Sequence, residues 1–250
     1  MSYLLFAVGI SLLILSGAAL VEGASNIAAR FNVSPAVIGL TLVAFGTSLP
    51  ELAVNITAVN AGEPALSIGN VFGSNIANLG LVLGAAVAVR GFAVESQIMR
   101  REIPLLLLIS AIVSVLASDQ WLRDQPGLLD RGDALVLLLL LCVFIYINAR
   151  DILKGRADDP LLTQATTRGQ RRFRKRNYLY IGAGIPGMWL AGELTVANAL
   201  VIASQWGVPE LLIGLTIIAL GTSLPELVTS ITAALRDEAS LALGNVVGSN

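Results

Sequence analysis

The sequence predicts an all-α integral membrane protein built as an inverted repeat. Three observations carry that expectation. Long apolar runs recur along the chain, a 30-residue block recurs at an offset of 175, and the basic residues segregate to alternate connections. Of the 250 residues, 55% are apolar and only 13% charged, with a mean hydropathy of +0.78. Soluble domains average about 25% charged residues. Apolar runs of about 20 residues are long enough to cross a bilayer.

The runs place spans near residues 3–28, 35–60, 65–88, 103–118, 134–149, 178–204 and 208–235, with an eighth starting near 240. The first run lacks a basic leader and a cleavage site, so it reads as a span rather than a removed signal. The long hydrophilic connection, 150–177, carries nine Lys or Arg residues. Cytoplasmic connections are enriched in positive charge, which puts that loop inside and the N-terminus outside. Arg30, Arg90, Arg100, Arg101 and Arg236 then also fall inside. Only Arg123 and Arg131 fall outside, beside Asp119, Asp124, Asp130 and Asp133, so 14 of the 16 basic residues share one side. The basic run 168–176 reads as a topology signal, with binding to anionic lipid or a regulatory partner as the alternative.

There is no histidine, which excludes imidazole-based catalysis and imidazole metal ligation. The single cysteine, Cys142, permits no internal disulfide and is expected as a packed thiol.

Residues 46–75 align with 221–250 without gaps, and 18 of the 30 pairs are identical. Gly46-Thr47-Ser48-Leu49-Pro50-Glu51 matches Gly221-Thr222-Ser223-Leu224-Pro225-Glu226, and Gly69-Asn70 and Gly73-Ser74-Asn75 match Gly244-Asn245 and Gly248-Ser249-Asn250. Five spans separate each residue from its mate. Five is odd, so the copies enter the membrane from opposite sides. Secondary transporters repeatedly use this arrangement, with substrate held at the midplane between the repeats. Packing alone would favour matching apolar positions, whereas these matches concentrate on Gly, Thr, Ser, Pro, Glu and Asn.

Pro50 and Pro225 lack an N–H, and with the neighbouring Gly46 and Gly221 they break the helix and free carbonyls. Freed carbonyls in a membrane need a partner or a cavity, and a bound cation is such a partner. Thr47, Ser48, Thr222 and Ser223 add hydroxyl oxygens, and Glu51 and Glu226 add carboxylates. Ionisable groups within a membrane are costly and mark function. A hard cation such as Ca²⁺ takes 6–8 oxygens, which this set supplies without sulfur or imidazole. Several Na⁺ ions could occupy the same oxygens, and competition for one site is a direct route to antiport. Gly69/Gly73 and Gly244/Gly248 are spaced for close helix approach. Ser74 and Asn78 share one helix face and are expected to present oxygens to the glutamates. Glu22 and Glu193, which are not repeat mates, are expected outside the site.

In these motifs the chain resembles the sodium/calcium exchanger family of the cation/Ca²⁺ antiporter superfamily, and more narrowly its bacterial inner-membrane members. The resemblance implies ten helices in two inverted sets of five, with ion sites formed by helices 2, 3, 7 and 8. It implies Glu51 and Glu226 as central ligands of transported Ca²⁺ and Na⁺, joined by Thr47, Ser48, Ser74 and Asn78 from the first repeat. Thr222, Ser223 and Ser249 join from the second, together with the backbone carbonyls of Ala44 and Ala219. It further implies Na⁺-driven Ca²⁺ export by alternating access, helices 1 and 6 sliding over the bundle, with no cofactor, no enzymatic activity and no obligate protein partner.

The first repeat is expected to span 1–149 and the second 178–250, joined by the basic loop 150–177. The mate of Asn78 would be residue 253, and repeat logic expects about 325 residues in the whole protein. The chain is therefore expected to stop within helix 8 and not to transport as it stands. H⁺-coupled exchange is the alternative within transport, since buried glutamates titrate. A channel, which usually rings its pore with identical ligands, and a serine-based membrane enzyme fit the pattern less well.

Overall fold

A computed structural model describes residues 1–31, 33–62, 64–91, 93–94, 96, 98–118, 129–154, 176–207 and 219–250. Every regular element among them is helical. Helix α1 is Ser2–Phe31. Helix α2, Pro35–Thr47, starts with Pro at its first position and Ser34 Oγ accepting from the Ala36 N–H at 3.1 Å, a standard N-terminal cap. It includes a π-helical turn at Gly39–Val43 and ends at Ser48, where the chain bends by 42° into α3, Leu49–Asn60. Helix α4 covers 64–89 with a π turn at Asn78–Val82. Helix α5 covers 98–116 and α6 is Arg131–Lys154. Helix α7 is Arg176–Gln205. The second broken pair follows as α8, Ala219–Thr222, and α9, Leu224–Leu235, and then α10, Ala239–Gly248.

These elements match the spans read from the sequence. Residues 208–218 of the seventh span, and the basic loop from 155 to 175, lie outside the described residues. Four described helices are long and apolar enough to cross a membrane, and the bent α2–α3 pair makes a fifth.

Helices α1 and α7 form the spine. Gly9 faces Thr195, Gly17 faces Met188, Gly184 faces Leu20, and Gly23 faces Ile181, so the two run antiparallel. Helix α7 begins 174 residues after α1, close to the repeat offset of 175, and its reversed direction is the inverted repeat expressed in structure. Apolar association gains little within lipid, so membrane helices rely on close packing, which small residues permit. A Cβ at Gly9 would sit 2.5 Å from Thr195 Oγ1 and 3.0 Å from the Thr195 backbone nitrogen. Gly9→Leu is therefore expected to force the spine apart, costing about 1–3 kcal/mol, visible as a lower unfolding temperature in detergent.

The apolar core gathers Leu13, Leu20, Val21, Ala24 and Ala28 of α1 with Ile38 and Val43, Met188 and Ala191, Ala233, Leu241 and Ala242. Helices α2 and α10 approach so closely that a Cβ on Gly39 would lie 2.6 Å from the Leu241 carbonyl oxygen.

Polar contacts mark the two ends of the spine. At one, Trp206 Nε1 donates to Tyr3 Oη at 3.0 Å. At the other, Glu22 lies 3.6 Å from Arg176 and 3.7 Å from Arg236, and Arg90 pairs with Asp237 at 2.5 Å. Arg90, Arg176 and Arg236 thus share an end, as the charge pattern requires. One expectation fails. Cys142 is exposed rather than packed, because α6 lies at the periphery with most of its long side chains outward. A membrane protein presents such faces to lipid, so an apolar run does not imply a protein neighbour.

Candidate functional site

The two breaks are near copies. Ser48 has φ −85° and ψ 7°, and Ser223 has φ −85° and ψ 5°. In each, Pro follows two residues later and the Glu one residue after that, as the third residue of the new helix. Each Glu therefore occupies the first turn, where the positive end of the helix dipole favours an anion. Gly46 packs on Ile185 and Gly221 on Val196. Both contacts lie on α7, which therefore covers both breaks.

The breaks bring the two glutamates together at the centre of the fold. Glu226 is 0% exposed and Glu51 8%. The two carboxyl groups lie within electrostatic reach of each other across the repeat boundary. Ser48 Oγ donates to Glu226 Oε1 at 3.0 Å, and Thr47 stands beside the same carboxylate. Thr222 of the second repeat stands beside Glu51. Each carboxylate thus meets the hydroxyls of the opposite repeat. Among the described residues, neither is paired with Lys or Arg. Two buried, uncompensated carboxylates are costly, and a cation between them would remove that cost.

A cavity of about 180 Å³ opens beside Glu51 and is lined by Ser48, Ser74, Asn78 and Ser249, together with Asn55, Val71, Asn75 and Asn250. Asn78 Nδ2 donates to Ser249 Oγ at 3.1 Å, joining the repeats on this side. Ser74 and Ser249, which are repeat mates, donate to the carbonyls of Val71 and Val246 at 3.1 and 3.2 Å. Ser74 therefore keeps its lone pairs for a ligand, and Ser249 keeps the one that Asn78 does not use.

Five buried oxygens around the site have no hydrogen-bond donor among the described residues: Glu51 Oε2, Glu226 Oε2, Ser223 Oγ, Asn78 Oδ1 and Asn250 Oδ1. Buried polar atoms are normally satisfied. A concentration of unsatisfied oxygens, two of them carboxylate, matches a hard cation. No cluster of three or more Asp, Glu or Cys occurs among the described residues, so neutral oxygens must complete any ion's shell.

Of the residues singled out from the sequence, Thr47, Ser48, Glu51, Thr222, Ser223 and Glu226 converge at the breaks, and Ser74, Asn78 and Ser249 line the cavity. The Ala44 carbonyl sits one turn before the first break and accepts from Ser48 N–H at 3.0 Å and Thr47 Oγ1 at 3.2 Å. Ala219 opens α8, one turn before the second break. Glu193 stays outside, on the exposed face of α7, accepting from Trp189 Nε1 at 3.0 Å. Glu22 lies at the arginine-rich end.

Several asparagines outside the expected ligand set also hold the site together. Asn70 Nδ2 donates to Asn55 Oδ1 at 3.0 Å, and its mate Asn245 donates to Ser230, the mate of Asn55, also at 3.0 Å. The same pin thus fastens the helix pair in both repeats. Asn75 Nδ2 reaches the carbonyl of its own mate, Asn250, at 3.5 Å. Asn70/Asn245 and Asn75/Asn250 are identical pairs in the alignment, so treating every polar identity as a candidate would have found them.

The comparisons with known proteins agree with this geometry. The sodium/calcium exchanger protein family matches residues 1–150 and 176–250. The chain belongs to that family, a class of membrane transporters rather than enzymes, whose substrates are Ca²⁺ and Na⁺. It is 42% identical over 246 residues to the putative antiporter CaxA of Alkalimonas amylolytica, covering 97% of this chain and 74% of that protein. It is 37% identical to the inner membrane protein YrbG of Escherichia coli strain K12, covering 98% and 74%. The solved sodium/calcium exchanger of Methanococcus jannaschii superposes with a TM-score of 0.79 at 32% identity, covering 99% and 76%.

Proposed function

We propose that this protein exchanges Ca²⁺ for Na⁺ across the membrane by alternating access, at a single site shared by the two ions. The five buried, donor-less oxygens contributed by both repeats carry the reading. Their chemistry suits hard cations, and Glu51 and Glu226 supply about −2 of charge, enough to balance one Ca²⁺. Thr47, Ser48, Ser74, Asn78, Thr222, Ser223, Ser249 and the carbonyls of Ala44 and Ala219 complete the candidate ligand set. The inverted repeats, 1–149 and 178–250, supply two interchangeable packings, and the spine of α1 and α7 is the element placed to shift between them. The arginine-rich end and the connection 150–177 face the cytoplasm of a bacterial inner membrane, and the N-terminus faces out. Clustering of Arg90, Arg176 and Arg236 at one end supports that orientation.

The test uses the intact native protein in everted membrane vesicles. Ca²⁺ uptake is expected to follow an outward Na⁺ gradient and to saturate. Uptake driven only by a pH gradient, indifferent to Na⁺, would replace Na⁺ coupling with H⁺ coupling.

A further inference from the structure

We infer that Asn245 is a positioning residue of the cation site: its amide turns the Thr47 hydroxyl so that Thr47 meets the ion as an acceptor. This rests on the cation-site reading above and adds to it a residue that does not itself touch the ion.

Asn245 is 0% exposed. Its Nδ2 donates to the Glu226 carbonyl at 3.4 Å and to Ser230 Oγ at 3.0 Å. The Glu226 carbonyl can only accept, so the NH₂ end of the amide must face it. That leaves Oδ1 toward α2, where it accepts from Thr47 Oγ1 at 3.2 Å. One side chain of α10 therefore ties the break of the first repeat to the backbone of the glutamate in the second.

The consequence follows from the single proton on a hydroxyl. Thr47 stands beside the Glu226 carboxylate, the strongest acceptor in reach. A hydroxyl that donates to that carboxylate turns its hydrogen, not its lone pairs, toward a cation bound there. Asn245 Oδ1 and the Ala44 carbonyl, each 3.2 Å from Thr47 Oγ1, offer that proton two other acceptors. Ser48 differs, since it donates to Glu226 Oε1. The two neighbouring hydroxyls thus split their work. Ser48 holds the carboxylate, and Thr47 keeps its lone pairs for the ion. The helix pin alone does not explain Asn245, because its mate Asn70 makes the same pin to Asn55.

The test is a double-mutant cycle in the purified intact protein, reading equilibrium Ca²⁺ binding by titration calorimetry. Asn245→Leu keeps the branching and the number of side-chain heavy atoms and removes both ends of the amide, and Thr47→Val removes the hydroxyl. Each is expected to weaken Ca²⁺ binding about tenfold, the worth of one hydrogen bond to a charged group. The double variant is expected to bind no more weakly than either single one. If N245L lowers the unfolding temperature but leaves Ca²⁺ affinity unchanged, or if the two losses multiply to about 100-fold, Asn245 is a packing residue and the inference is overturned. Should N245L not fold, Asn245→Ala enters the same cycle with the same two readings. A wild-type protein that binds no Ca²⁺ overturns the cation-site reading itself. Wild-type binding with an unaffected N245L overturns only the role of Asn245.

Discussion

Glu226→Gln and Glu51→Gln are each expected to abolish saturable Ca²⁺ exchange while leaving the protein folded. Each removes one of the two charges that balance a divalent ion. The amide keeps the side chain's shape, and at position 226 its oxygen can still accept from Ser48. Removing one partner of a buried charge interaction costs about 3–5 kcal/mol, so Ca²⁺ affinity should fall by at least about 100-fold. The two effects on stability have opposite signs. Without ions, both carboxylates are buried and neither is paired with Lys or Arg among the described residues, which is costly. Either variant should therefore unfold at a higher temperature than the wild type when no cation is present. With Ca²⁺ added, the wild type should gain stability through ligand linkage and the variants should not. Glu193→Gln is the control, since that carboxylate lies on the outer face of α7 and bonds Trp189. Its Ca²⁺ binding should match the wild type.

Gly244→Leu is expected to prevent stable folding. A Cβ at Gly244 would lie 3.0 Å from the Leu40 backbone nitrogen and closer still to the Ala36 carbonyl oxygen. Backbone cannot rotate away as a side chain can, so α10 would have to leave α2. Helix α10 carries Asn245 and is followed directly by Ser249, so the displacement would also dismantle the site. The cost should reach or exceed the upper end of overpacking penalties, about 3 kcal/mol, and appear as loss of monodisperse protein in detergent. The repeat mate, Gly69, is exposed. Gly69→Leu should lower the unfolding temperature by far less. The inverted repeats are therefore alike in sequence but unlike in packing.

That contrast explains what could and could not be read from the sequence. The breaks were legible because proline, glycine and glutamate act locally. Pro50 and Pro225 break a helix wherever they stand, and both breaks adopt nearly one backbone conformation. The antiparallel spine was legible because parity of spans fixes direction. The asymmetry of the site was not legible. Alignment gives Asn55 and Ser230 equal standing, yet Asn55 lines the cavity and Ser230 is 0% exposed. Val71 is 43% exposed and its mate Val246 is 0%. Two sequence-equivalent halves thus settle into different packings. The π turns at Gly39–Val43 and Asn78–Val82 were equally hidden. They flank the site, where such bulges often occur, but no residue type announces them. Cys142 was misread because an apolar run looks the same whether protein or lipid covers it.

The hydroxyl and amide shell was half legible. Ser74 and Asn78 followed from helical spacing. Asn245 did not, because its role depends on Thr47 arriving from 198 residues away. Only the packing of α10 against the first break creates that contact.

The measurement that bears most directly on the account is equilibrium binding of Ca²⁺ to the purified intact protein at increasing Na⁺. A shared site predicts that the half-saturating Ca²⁺ concentration rises steadily with Na⁺ while the number of Ca²⁺ bound at saturation stays constant. It also predicts that this binding disappears in the Glu51→Gln, Glu226→Gln double variant. Ca²⁺ binding that ignores Na⁺, or that survives the loss of both carboxylates, would contradict it.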